Sequence, residues 1–207
     1  MTVIAIDSSA RGRLVVARST PGGELIDAAV GDGASTLPAL THALRRLGLD
    51  DLEAVAVVTG PGSYTGIRAG MAAALGLAHV LGLPLHGLGS LEVAARAAPE
   101  AEIDVVALAD AGRGGVYAGR FERVGGKLRA LGEPRRISRA DAGRSGGLLV
   151  SLDTLDLPGV HRVDAAMALA GAVPWALSRP PLSLSGLRGD YLDLAPQLGA
   201  SPRVSSE

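Results

Sequence analysis

Cysteine is absent from this 207-residue chain. That excludes disulfides, zinc–thiolate sites and thiol nucleophiles. Aromatic residues are scarce, at 2%, although 47% of the chain is hydrophobic. Its core must be built from alanine, leucine, valine and glycine, which favour close backbone contacts over large pockets. An excess of either charge is also missing: 20 basic and 21 acidic residues leave a formal net charge of -1. No chain-wide basic field argues for nucleic acid as a direct partner of this chain alone. Lys127 is the single lysine, a skew read here as codon bias. The most apolar stretch, 66–85, carries Arg68, His79, several glycines and a proline. It suits a buried helix better than a membrane span. The start, "MTVIAIDSS", has no basic region and no signal-length apolar run, so a cytoplasmic, soluble protein without membrane contact is expected.

What is present falls into an α/β order that restarts midway. Residues 3–6 read as a buried strand, with 13–19 and 24–30 as neighbours joined at Pro21-Gly22-Gly23. Leu37, Leu40, Leu44 and Leu47 give a helical period behind a Ser35 or Thr36 cap. "EAVAVV" is the next strand, 66–82 a helix, "PLHGL" a strand, and Ser90 caps a helix to about Ala97. A hinge is placed near residue 100, dividing the chain into 1–100 and 101–207. Beyond it "IDVVALAD" is a strand, and "VYAGRFERV" with "KLRALGEP" forms a hairpin at Gly125-Gly126. A short helix follows Ser138, then strands in "GLLVSL" and "GVHRV" and a helix over about 164–175. "IAIDSSARGRLVVAR" and "VALADAGRGGVYAGR" share a strand ending in aspartate, a small-residue turn with Arg and Gly, and a second strand. Together with the repeated element order, this suggests a duplicated lobe.

The run "VVTGPGSYTGIRAG" at 57–70 offers chemistry in its loop: Gly60, Pro61, Gly62, Ser63, Tyr64 and Thr65. Gly60, Gly62 and Gly66 are spaced one residue wider than the dinucleotide fingerprint, and no lysine follows as in a P-loop. Free amides at Gly66 and Ile67 and the hydroxyls of Ser63 and Thr65 are suited to an anion. The alternative is a tight strand-to-helix turn with Thr65 as N-cap. In the helix that follows, Ile67, Met71, Ala74, Ala78 and Leu81 form the sheet-facing stripe. The other side carries Ala69, Ala72, Ala73 and Gly76 where a surface helix would carry charges. Gly66, Arg68, Ala69, Met71, Ala72, Ala73, Leu75, Gly76 and His79 are therefore the candidate protein contact, with burial within the chain as the alternative.

Asp7 with Ser8 and Ser9, and Asp110, lie at strand ends before turns, the arrangement that aims carboxylates at magnesium and hydroxyls at phosphates in actin-like kinases. Hairpin chemistry explains them as well. His42, His79, His86 and His161 include no pair at metal spacing, and no serine sits in a nucleophile elbow. No catalytic or metal-binding set is identified.

"IAIDSS", "VAVVTGPGSYTGIRAGMAAALGLAHVLGLPLHGLGSLEVAARA" and "DAGRGGVYAGRF" resemble the TsaB family, also called YeaZ. The likeness covers about the first 120 residues, and "GDYLDLAP" is similar to the family's final tyrosine-containing segment. The resemblance implies duplicated actin-like (ASKHA, ribonuclease H-like) lobes in a non-catalytic subunit. Such a subunit pairs with the catalytic paralogue TsaD, recruits the small ATPase TsaE, and supports threonylcarbamoyl transfer to adenosine 37 of tRNA. It also implies that tRNA is met through the complex, that ATP and magnesium serve the complex with no cofactor held tightly by this chain, and that a homodimer can form in isolation. The glycine-proline loop then fixes the start of an association helix. Gly112 and Gly115 depart from the family's "DAR-x-x-E-V-Y" segment, and Ala34-Ser35 replaces its His-Ser pair. The alternative is an active small-molecule kinase or ATPase of the same fold, using Asp7 and Asp110.

Overall fold

Alternating side chains in "TVIAID" serve two faces: Val3 and Ala5 pack to one side of the strand, Ile4 and Ile6 to the other, all fully buried. That two-sided burial recurs along the chain and organises it into layers. The computed structural model describes residues 1–32 and 36–183.

The first sheet runs β3-β2-β1-β4-β5, from β1 (Thr2–Asp7), β2 (Leu14–Ser19), β3 (Leu25–Gly31), β4 (Leu52–Gly60) and β5 (Leu85–Gly89). β1, β2 and β3 pair antiparallel; β1, β4 and β5 pair parallel. The second sheet repeats the scheme as β8-β7-β6-β10-β11. It comprises β6 (Asp104–Gly112), β7 (Gly115–Val124), β8 (Lys127–Ala130), β10 (Leu148–Ser151) and β11 (His161–Arg162), with β9 (Arg135–Ser138) added beside β7. The antiparallel and parallel pairings match strand for strand, so the repeat suggested by the two aspartate-ended segments is a repeat of topology.

α1 (Thr36–Leu47) and α2 (Tyr64–Leu81) cover the outer face of the first sheet through Leu40, Leu47, Ile67, Met71, Ala74 and Ala78. α3 (Ser90–Arg96), α5 (Ala165–Gly171) and α6 (Val173–Leu177) contribute to the core shared by the facing sides of both sheets. Here the shortage of aromatics has its structural counterpart. Ala5, Ala17, Ala54, Ala56, Ala94, Ala95, Ala107, Ala109, Ala168, Ala172 and Ala176 belong to this core, where short side chains let helices and strands approach closely. α4 (Arg139–Gly143) covers the far face of the second sheet through Ala142.

Several boundaries differ from the sequence reading. Ser63, not Thr65, caps α2: its Oγ accepts from the Gly66 amide at 3.4 Å, because the helix begins at Tyr64. Ser90 is the first residue of α3 rather than its cap, and its hydroxyl donates to the Pro61 carbonyl at 2.6 Å. The helix expected over 164–175 is two helices meeting at Ala172, with Pro174, which lacks an amide hydrogen, in the first turn of the second. Leu37 is exposed despite its place in the leucine series. The Ser35 cap and "GDYLDLAP" lie outside the described residues.

Candidate functional site

The glycine spacing of the 57–70 run is explained by what lies beneath it. The turn after β1 passes under the start of α2, where the Ser63 amide donates to the Ser9 carbonyl at 2.7 Å and the Ser8 hydroxyl to the Gly66 carbonyl at 2.8 Å. A Cβ at Gly62 would stand 2.3 Å from the Ser9 carbonyl oxygen, one at Gly66 2.1 Å from that of Ser8, and one at Gly70 2.1 Å from Ser8 Oγ. Glycine at every fourth position thus gives the helix a bare strip against its own chain. Gly60 and Pro61 are buried, joined by a cis peptide bond, and the Ser63 amide is already bonded.

The opposite side of α2 faces outward. Tyr64, Arg68, Ala72, Gly76 and Val80 recur every fourth residue, and all are exposed, with Thr65 and His79 beside them. Arg68 donates to the Tyr64 hydroxyl at 2.6 Å, and its guanidinium lies 5.2 Å from the ring centre. Between that pair and Val80, which is 81% exposed, Ala72 and Gly76 form a low saddle, with nothing within 4 Å of a Cβ at Gly76. Gly66, Ala69, Ala73 and Leu75 are half-buried at its flanks. Met71, placed by the sequence reading both in the sheet-facing stripe and in the candidate contact, belongs to the stripe alone. It is buried, because it follows Ile67 by one turn and shares its sheet-facing side. Tyr64 and Val80 were missed as members of the outer row, although their four-residue spacing from Ala72 and Gly76 is visible in the sequence.

Asp7, Ser8 and Ser9 are buried at the end of β1. Ser9 donates to Asp7 Oδ1 from both its amide, at 2.9 Å, and its hydroxyl, at 2.6 Å. Arg13 Nη2 donates to Asp7 Oδ2 at 3.2 Å and reaches Asp153 Oδ1 at 3.5 Å, while Nη1 donates to the Leu152 carbonyl. Asp153 Oδ2 in turn accepts from the Asp110 amide at 2.9 Å. Burial pushes the Asp153 carboxyl above the usual carboxylate range, with its hydrogen bond from Asp110 and the charge of Arg13 opposing. Asp7 and Asp110 are thus linked through Arg13 and Asp153, with both Asp7 oxygens engaged by neighbours in this chain. The sequence reading singled out neither Arg13 nor Asp153; Asp153 stands after β10 as Asp110 stands at the end of β6.

Asp110 itself borders an open cleft of about 830 Å³ with Arg11, Gly112, Arg113, Arg136 and Arg139. Arg139 Nη2 lies 3.6 Å from Asp110 Oδ1 and Arg11 Nε 4.0 Å from Oδ2. Arg136 donates to the Gly112 carbonyl at 3.1 Å. The two positions at which the chain departs from the "DAR-x-x-E-V-Y" pattern are the places where guanidiniums crowd the backbone. A Cβ at Gly112 would stand 3.0 Å from Arg11 Nη2, and one at Gly115 3.2 Å from Arg136 Cζ.

Comparison with known proteins agrees with this architecture. The family model described as "TsaD: tRNA N6-adenosine threonylcarbamoyltransferase" matches residues 10–193. An uncharacterised protein of Mycobacterium leprae is 34% identical over 148 residues, which make up 69% of this chain and 40% of the relative. The Bacillus subtilis tRNA threonylcarbamoyladenosine biosynthesis protein TsaB is 35% identical over 91 residues, 44% of this chain and 40% of that protein. The chain thus spans well under half the length of these two relatives. YeaZ from Pseudomonas aeruginosa has the same fold, with a TM-score of 0.67 at 20% identity, over 92% of this chain and 99% of that one. The duplicated α/β sheets, the glycine-spaced start of α2 and the family match together place the chain in the TsaB/YeaZ family.

Proposed function

We propose that this chain is a non-catalytic partner subunit that supports threonylcarbamoyl transfer to adenosine 37 of tRNA by docking on its catalytic paralogue TsaD. The observation that carries the reading is the outer row of α2: an uncharged saddle at Ala72 and Gly76, walled by Tyr64 and Arg68 on one side and Val80 on the other, and left exposed by the described residues of its own chain. A neighbouring helix can approach closely across such small residues and bury the flanking apolar groups. The buried strip of glycines opposite sets the helix at a fixed height over the β1 turn, so Gly60 to Arg68 govern the geometry of that contact. TsaE joins through the assembled pair, tRNA is met through the complex in the cytoplasm, and ATP with magnesium serves the complex rather than this chain. Without its partner the same face pairs two copies of the chain.

Ala72→Glu and Gly76→Arg put a charge into the saddle without crowding the fold. Each is expected to weaken association with TsaD by about tenfold or more, since the charge must lose water on docking, while leaving thermal unfolding of the isolated chain nearly unchanged. Size-exclusion chromatography of the mixture measures the first effect, and reconstituted tRNA modification with and without this chain measures its consequence. Intact association by both variants removes the α2 face as the contact, and modification at full rate without the chain removes the role.

A further inference from the structure

A second opening, of about 370 Å³, lies between the C-terminal end of α3, β11 and α5, and shares no lining residue with the arginine cleft. α3 contributes Arg96 to it, and β11 contributes His161 and Arg162. Ala97, Val163, Met167 and Ala168 supply its apolar surface. Met167 is 59% exposed, although Ala166, Ala168, Leu169 and Ala170 around it in α5 are buried. A flexible, polarisable thioether left at an opening is suited to pack against an aliphatic guest.

The two arginines are held differently. Arg96 is fixed in place: its guanidinium lies 4.2 Å from the centre of the Trp175 ring, and its Nη2 meets Glu92 Oε1 at 3.5 Å. Arg179 reaches Glu92 Oε2 at 3.9 Å, so one carboxylate serves two guanidiniums. Arg96 Nε is buried and has no hydrogen-bond partner among the described residues. Arg162 is exposed, and its side chain makes no ion pair or hydrogen bond among the described residues. Asp164 is the one carboxylate lining the opening, and it is already engaged: Oδ1 accepts from the Met167 amide at 2.8 Å and caps α5. Two guanidiniums against one carboxylate leave a surplus of one formal positive charge among the lining residues.

We infer that this opening binds a small monocarboxylate with an aliphatic chain, its carboxylate at Arg162 and Arg96 and its chain against Met167 and Ala168. A guanidinium fork pairs with both oxygens of a carboxylate. One surplus charge matches a monoanion better than a phosphate group, which carries a charge of about −2. The volume lies in the range of sites that hold small ligands. Gly171, the last residue of α5, also lines the opening, and a Cβ placed there would have nothing within 4 Å, so that space is open to the guest. A ligand so placed ties α3 of the first repeat to β11 and α5 of the second.

The test is an NMR titration of the full chain, labelled at its methionine methyl groups, with sodium hexanoate. The chain has three methionines. Met167 lines the opening, whereas Met71 is buried on α2 and reports on the fold. The Met167 signal is expected to move saturably while that of Met71 stays, and the Tm should rise with hexanoate concentration. Arg162→Gln should weaken binding by about fivefold or more, through loss of a charged hydrogen-bond partner. Gly171→Leu should fill the opening and abolish binding, with the Met71 signal unmoved in both variants. 1-Hexanol has the chain without the charge, and inorganic phosphate the charge without the chain; both should bind at least about tenfold more weakly than hexanoate. No saturable shift at Met167, equal binding of hexanol or of phosphate, or unchanged affinity in either variant would overturn the inference. The titration uses the chain alone, so its outcome leaves the docking proposal to its own test.

Discussion

One added methyl group divides the glycines of α2 into two kinds. At Gly66 it would press on the Ser8 carbonyl oxygen, a backbone atom with no rotamer to change; at Gly70 it meets the Ser8 hydroxyl, which can turn at the expense of its bond to Gly66. At Gly76 it meets nothing. Gly66→Ala is expected to destabilise the fold by about 1–3 kcal/mol or more, Gly70→Ala by less, and Gly76→Ala to stabilise it by about 0.5–1 kcal/mol through helix propensity. Urea unfolding of the three variants checks the order, and a stable Gly66→Ala would remove the account of the loop. The sequence showed the glycines but not this distinction. Gly62, Gly66 and Gly70 owe their identity to a turn more than fifty residues earlier, and only the packing of β1 against α2 reveals it. Met71 was counted twice, in the sheet-facing stripe and in the contact; helical spacing placed the stripe correctly at Ile67, Met71, Ala74 and Ala78, and only its end at Leu81 proves exposed.

At the scale of elements the strands were easier to read, because β-branched runs and glycine or proline punctuation act locally. Helix ends were less legible. Ser63 and Ser90 sit at similar strand-to-helix steps, yet one caps its helix and the other bonds a carbonyl of the neighbouring loop. The outer row of α2 has the geometry of a ridge along every fourth residue, which packs against a like ridge with the axes crossing at about −50°. If two copies pair through this row, their Ala72 positions meet near the crossing. A single cysteine there is unambiguous, since the chain has none of its own. Ala72→Cys is expected to give a disulfide-linked dimer on mild oxidation, while Arg129→Cys on the exposed β8 should remain monomeric. Equal yields from the two positions, read on a non-reducing gel, would point to random collision.

At the scale of the whole molecule, the repeat was legible in the element order and in the two aspartate-ended segments. The shared core was not: helices following the parallel strand pair of each half contribute to both sheets' inner layer, and sequence order alone does not show that contact. Arg13 is the polar tie in this arrangement, joining Asp7 of the first repeat to Asp153 and the Leu152 carbonyl of the second. Arg13→Met leaves two largely buried carboxylates unpaired and should destabilise the chain by about 3 kcal/mol or more at neutral pH. Burial already holds the Asp153 carboxyl above its unfolded value, so its contribution to stability is full below that value and is lost as pH rises through the folded one. The deficit of Arg13→Met should therefore shrink between pH 7 and pH 5, as measured by urea unfolding at each pH. A deficit independent of pH would mean that lost packing, not the stranded carboxylates, is responsible. The two repeats differ in one further respect: residues 152–160, between β10 and β11, form no helix, whereas α2 joins β4 to β5. Among the described residues an exposed saddle of this kind thus occurs on one half only. Two copies that meet saddle to saddle use the same patch on both sides, so such a contact ends in a closed pair and does not propagate into a chain of subunits.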